Sequence, residues 1–140
     1  MKRCTWFLAV LIGVVLMATA VFASNDVRKG GSLWAAIEDD GTIRIEGSIA
    51  GAFESDGTVR KNGSIVGAVE ADGTIRMNGS LFGNVEKDGT LRKNGSLYGS
   101  IEDGGTIRKN GSIWGSAEQA DTFDRKRAIA ALLFFFCDEF

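Results

Sequence analysis

The sequence predicts an all-β fold: a five-fold pseudo-symmetric ring of small antiparallel hairpins, built from sixteen-residue repeats and closed by a C-terminal apolar segment. Three observations carry that reading. Six units align without gaps, beginning at Gly31, Gly47, Gly63, Gly79, Gly95 and Gly111. Nearly every unit holds two glycine-containing turn dipeptides separated by alternating apolar and polar residues, the usual mark of hairpins. Glycine is over-used, with 19, while proline is absent, which fits tight turns between strands and not a flexible linker.

Within the unit, Gly-Ser opens every copy. An aliphatic residue follows: Leu33, Ile49, Ile65, Leu81, Leu97, Ile113. Glu stands at the eighth place from Glu38 to Glu118, and Thr at the twelfth from Thr42 to Thr122. Arg44, Arg60, Arg76, Arg92 and Arg108 come two places after Thr, and the sixth unit, with Asp124 there, decays as a terminal repeat does. Asp-Gly or Gly-Gly marks one turn and Asn-Gly, or Glu46-Gly47, the other.

Facing decides the loop lengths. A three-residue loop Ala71-Asp72-Gly73 sets Val69 opposite Ile75 and keeps apolar pairs on one face. The same reasoning predicts a three-residue loop Met77-Asn78-Gly79, with Ile75 opposite Leu81 and Arg76 opposite Ser80. In the longer strand Ile65, Gly67 and Val69 share the inward face, and the glycine marks a bend or close backbone approach. Five short Thr-Ile-Arg strands then alternate with six longer ones.

The pattern Gly-Ser-Ile-x-Gly-x-Val-Glu-x-Asp-Gly-Thr-Ile-Arg-x-Asn, with the Phe134-Phe135-Phe136 tail, resembles the five-fold beta-flower proteins. The likeness covers residues 31–118 and the tail. It implies a small exported bacterial protein of known shape and carries over no activity. The sequence departs from the pattern at Glu46, at Gly104 and over Asp121-Thr122-Phe123-Asp124. The rival architecture is a β-solenoid like the polymer-forming bactofilins, against which the tight two-way turns argue, since parallel strands need crossovers.

The flanks read differently. Residues 1–23 form a secretory signal: Lys2 and Arg3, the apolar run Trp6 to Ala20, then small residues up to a cleavage point near Ala23–Ser24. A retained anchor is the rival. Residues 24–30 are a short lead-in, 31–126 the six repeats, and 127–140 an apolar closing segment of the same domain. Asp124 to Ala131 is expected to make a short helix, and Leu132 to Phe136 a buried strand that plugs or underlies the ring. With Cys4 in the signal, Cys137 is the one thiol of the mature chain, expected to be buried and free.

Composition narrows the function classes. Histidine is absent, which removes the commonest general base and metal ligand. The net charge is −2, and without Lys2 and Arg3 the remaining 14 basic and 18 acidic residues give −4, a poor match to nucleic acid. No cofactor, metal site or catalytic group is expected. The Asp-Gly-Thr runs lack the alternating oxygen ligands of a calcium loop, and turn geometry explains them. Candidate binding residues are the aromatics of the fourth place, Trp34, Phe82, Tyr98 and Trp114, read as lying on the outer face. With them go Arg44, Arg60, Arg76, Arg92 and Arg108, each diagonal to a Glu across a hairpin. The expectation is an exported periplasmic or extracellular module without catalysis, structural or for protein interaction. The alternative is a module that binds glycans or small ligands through those aromatics and arginines. The partner is an unknown envelope protein or glycan, and the mature chain has no membrane span.

Overall fold

The computed structural model describes residues 24–138 and Phe140; the expected signal at 1–23, with Cys4, lies outside them. Twelve strands and one helix follow in order: β1 (Ser24–Lys29), β2 (Ser32–Glu38), β3 (Thr42–Ile45), β4 (Ser48–Phe53), β5 (Thr58–Lys61), β6 (Ser64–Val69), β7 (Thr74–Met77), β8 (Ser80–Val85), β9 (Thr90–Lys93), β10 (Ser96–Ile101), β11 (Thr106–Lys109), β12 (Ser112–Ala117) and α1 (Phe123–Phe136). Each strand pairs antiparallel with its chain neighbours, and β1 pairs with β12 to close a barrel. Parallel solenoid stacking is thereby excluded.

Five-fold symmetry is not shown. Five short Thr-rich strands leave one place empty in a ring that must close on itself, and the lead-in fills it. Val27-Arg28-Lys29-Gly30-Gly31 stands sixteen residues before Ile43-Arg44-Ile45-Glu46-Gly47 and repeats its structure, down to the bulge against the next strand. Six aliphatics of the short strands, Val27, Ile43, Val59, Ile75, Leu91 and Ile107, form one fully buried layer. Closure removes every strand edge.

The Asp-Gly turns have the expected register. Val69 faces Ile75, the Gly73 amide donates to the Glu70 carbonyl at 2.8 Å, and Gly73 has φ +96°. The Asn-Gly turns do not. Asn78 and Gly79 both have positive φ, 52° and 85°, and Met77 faces Ser80, so the loop has two residues in a type I′ turn and not three. Arg76 then faces Leu81 while Ile75 faces Gly83, leaving Phe82 as an extra residue in a β-bulge. The bulge recurs in the six pairings in which a short strand runs into the next long one, and is absent from the pairings across the Asp-Gly turns; it shifts the pleat by one. The third-place aliphatic, expected inside, therefore points out, and the fourth-place residue, expected outside, turns toward the lumen.

The tail is also corrected. Leu132 to Phe136 is not a strand; it continues the helix begun at Phe123, whose cap is Thr122, its hydroxyl oxygen accepting from the Arg125 amide at 3.2 Å. Seven consecutive residues, Ile129 to Phe135, are buried, which covers every face of the helix. A helix apolar all round belongs in an interior, and a twelve-stranded barrel is wide enough to hold one. The inward glycines let barrel and helix meet: a Cβ on Gly67 would lie 2.6 Å from Phe135 Cε1 and would collide with the Arg76 carbonyl oxygen. Cys137, just past the helix, is free and half-buried.

Candidate functional site

The barrel has two unlike mouths and a banded wall. The Asp-Gly turns line one mouth, where α1 enters. Asp40, Asp56, Asp72 and Asp88 each accept the amide of the Thr two places on, at 2.9 Å. That amide, then the Thr hydroxyl, hold these carboxyls below their ordinary value. Asp121 is held down by Arg125, which donates to it at 2.7 Å. Two cations of the first helical turns reach back to this mouth. Lys126, buried along its stem, pairs with exposed Asp103. Arg127 donates to the carbonyls of Val69 at 2.6 Å and Glu70 at 2.9 Å, pairs with Asp124, and lies 5.5 Å from the Phe53 ring centroid.

The helix packs closest to β6 and β8. On the far side, between α1 and the ends of β2 and β4, a crevice of about 330 Å³ remains. Ile37, Phe53 and Ala128 form its apolar floor, Arg127 its deep cation, and Glu38, Asp39, Asp40, Glu54 and Asp124 its acidic rim. Such a mixture can hold a small polar ligand with one apolar face.

The Asn-Gly turns line the other mouth, where Lys61 and Lys109 stand over the Phe136 and Phe140 rings of the tail at 5.7 and 5.9 Å from their centroids. Lys61 donates to the Phe135 carbonyl at 3.4 Å, a cation at the helix C-terminus. Lys93 lies 5.2 and 4.8 Å from the centroids of Phe82 and Tyr98.

The four aromatics, expected on the outer face, are turned inward. Phe82 and Tyr98 pack on Phe134 with centroids 5.8 and 6.0 Å apart, and Trp114 packs on Phe140 at 5.5 Å and on Trp34 at 5.7 Å. Tyr98 donates its hydroxyl to the Phe140 carbonyl. All four are half-buried and face the tail because the bulge has turned them in. Only their edges reach outside, Trp34 in a small groove with Leu33 and Arg44, and Phe82 in a shallow one with Leu81 and Asn84. The five arginines fall where the diagonal placed them. Arg44, Arg60, Arg76, Arg92 and Arg108 each pair through Nε with Glu38, Glu54, Glu70, Glu86 and Glu102 at 2.5 to 2.7 Å. The structure does not bring these arginines together with the aromatics into one site.

The chain matches no protein-family model, no curated protein and no solved structure. Its chemistry must therefore be argued from its own residues. Among the described residues no cluster of His, Cys, Asp and Glu could hold a metal ion. None of the described helices is long and apolar enough to cross a membrane. Two features escape sequence reasoning. The crevice follows from the off-centre seat of the helix, which leaves no local signal. The other is the wall's outward aliphatic belt: Leu33, Ile49, Ile65, Leu81, Leu97 and Ile113 are 57–67% exposed. Its signal is present, an Asn-Gly turn followed by Ser, an aliphatic, one variable residue and then Gly, but it is legible only once the bulge is known.

Proposed function

We propose that the chain is an exported, non-catalytic interaction module whose outer wall is its working surface. The observation that carries the reading is the aliphatic belt. Six large apolar side chains at one level, one in each unit, are not needed by the core, which the inner aliphatic layers and the helix already fill. Exposed apolar groups arranged this regularly mark a surface made to be covered. The expected signal at 1–23 supports export. The sixteen-residue hairpin unit and aromatic tail support kinship with the beta-flower proteins, with β1 completing a sixth hairpin as the point of departure from five-fold form.

The test is photo-crosslinking in cells, with the reactive side chain placed at Leu97 or Ile113 and, as a control, at Gly104 on the acidic mouth. Protein adducts that form from the belt positions and not from Gly104 support the reading. Belt positions that form no protein adduct overturn it.

A second reading, a receptor for a small polar ligand, is favoured by the crevice and by the Arg127 guanidinium at its floor beside the Phe53 ring. It replaces the outer aromatic platform as the place where a glycan or metabolite would sit. A ligand library screened by thermal shift, with Phe53→Ala as the non-binding control, tests it; hits that Phe53→Ala leaves unaffected count against the crevice.

A further inference from the structure

The belt also indicates what covers it. We propose that copies of this chain pack side by side through Leu33, Ile49, Ile65, Leu81, Leu97 and Ile113 into an extended assembly. The inference rests on the wall being the working surface and adds the identity of the partner.

Four observations favour a second copy. First, the barrel is closed, so β1 and β12 offer no edge for strand addition, and association must use side chains. Second, the wall is electrically balanced. Each of five Glu residues is paired with one of five Arg residues across a hairpin. A strongly charged partner finds no complement on such a wall, whereas an identical wall, with both signs in five of its six units, does. Third, the belt runs round the whole circumference. A partner docking on one side needs the aliphatic in one or two units; neighbours on several sides need it in all six. Fourth, a flat lipid surface fits poorly. The strands have four to seven residues, too few to span a bilayer. The polar Asn-Gly-Ser tips lie beyond the belt and would enter the lipid before it.

Area sets the form of the assembly. A flat neighbour reaches two belt side chains, on the order of 250 Å², against about 800 Å² per partner for a stable pair. A lone pair is therefore weak. A copy surrounded by neighbours uses several sides at once, so assembly sets in above a concentration threshold, and contacts that do not close generate open arrays.

Sedimentation velocity and electron microscopy of the purified chain, from low micromolar to near-millimolar concentration, test this. Expected is a monomer that passes sharply to particles larger than a dimer. The triple variant Leu81→Ser, Leu97→Ser, Ile113→Ser alters only exposed positions, so its Tm should stay within about 3 °C of the parent, while its threshold rises by roughly tenfold or more. A parent that stays monomeric throughout overturns the proposal. So does assembly that is unchanged in the folded triple variant, or that dissolves in high salt, which would implicate the charged mouths. Belt-dependent co-sedimentation with phosphatidylglycerol vesicles by a monomeric chain would overturn it in favour of a membrane. A monomer whose belt still crosslinks to another protein in cells refutes self-assembly alone and leaves the wall as an interaction surface.

Discussion

Gly99 offers the sharpest check on the barrel's geometry. It faces inward in mid-strand, and a Cβ built there collides with the Arg108 carbonyl oxygen, with the carbonyl carbon at 3.3 Å and Lys109 Cα at 3.4 Å. All three obstacles are backbone of β11, so no side-chain rotation relieves them; the strands must separate. Overpacking of this kind costs about 1–3 kcal/mol. Against it stands a gain of about 0.4–1 kcal/mol from stiffening the unfolded chain. Gly99→Ala should therefore destabilise by about 1–2 kcal/mol, read as a lower urea midpoint with unchanged slope. Gly104→Ala is the control, since nothing lies within 4 Å of its Cβ and its φ is not positive; it should be neutral or mildly stabilising. The first unit supplies an inverse control. Ala35 holds the equivalent place and is 3% exposed, so a methyl is already accommodated there. Ala35→Gly should lose about 0.5–1 kcal/mol. Gly99→Ala as stable as the parent would refute the close approach of β10 and β11.

Four further outcomes follow from the turns and the helix. Glu46 occupies the left-handed position that asparagine holds in four later units, with φ +52°, so Glu46→Asn should raise stability by about 1 kcal/mol in urea unfolding. The four turn aspartates are held below the ordinary 3.8 in the fold. Their contribution is present above that value and is lost as pH falls through their folded values, so Tm should drop below about pH 4. Gly104→Asp, which restores the fifth such carboxylate opposite the Thr106 amide, should raise Tm at neutral pH and lose that gain in strong acid. Arg127→Met keeps apolar bulk but leaves the Val69 and Glu70 carbonyls without their charged donor, and should cost about 2–3 kcal/mol by the same assay.

Legibility followed the reach of the forces involved. The Asp-Gly register and the five Arg–Glu diagonals were readable, because turn residues and strand alternation fix them within one hairpin. The Asn-Gly loop was misjudged because the facing test assumed a regular pleat, and an inserted residue inverts facing from that point on. Matching Ile75 with Leu81 looked sound only in a strand without the bulge at Phe82. Leu132 to Phe136 reads equally as buried strand or buried helix, since a continuous apolar run carries no period. The barrel decides, because its lumen offers an apolar surround and no free strand edge. The half-repeat at Val27 was hidden by Asp26 in place of Thr and Gly30 in place of Asn. The crevice and the anchoring of Arg127 depend on where the helix lies across the lumen, which nothing within one unit records.

The variable fourth place, which runs from alanine to tryptophan, now has a physical account. A single helix is not symmetric, so a wall of equivalent units must adapt to it where they meet. The small members of the series are Ala50 and Val66. Their neighbours Gly51 and Gly67 are where Phe136 and Phe135 press against the wall, at 2.8 and 2.6 Å from a built Cβ. The large members, Phe82, Tyr98, Trp114 and Trp34, stand round the remaining circumference, where Phe134 and Phe140 alone would leave space. Small residues stand where Phe135 and Phe136 press on the wall backbone, and large ones where the Phe134 and Phe140 rings leave room beside them, as close packing requires of an asymmetric plug. A binding role for these aromatics is therefore unnecessary to explain why they vary. The positions that do not vary in kind are the outward aliphatics one residue earlier, and a feature held constant in all six units without serving the core is where selection for contact with other molecules is to be sought.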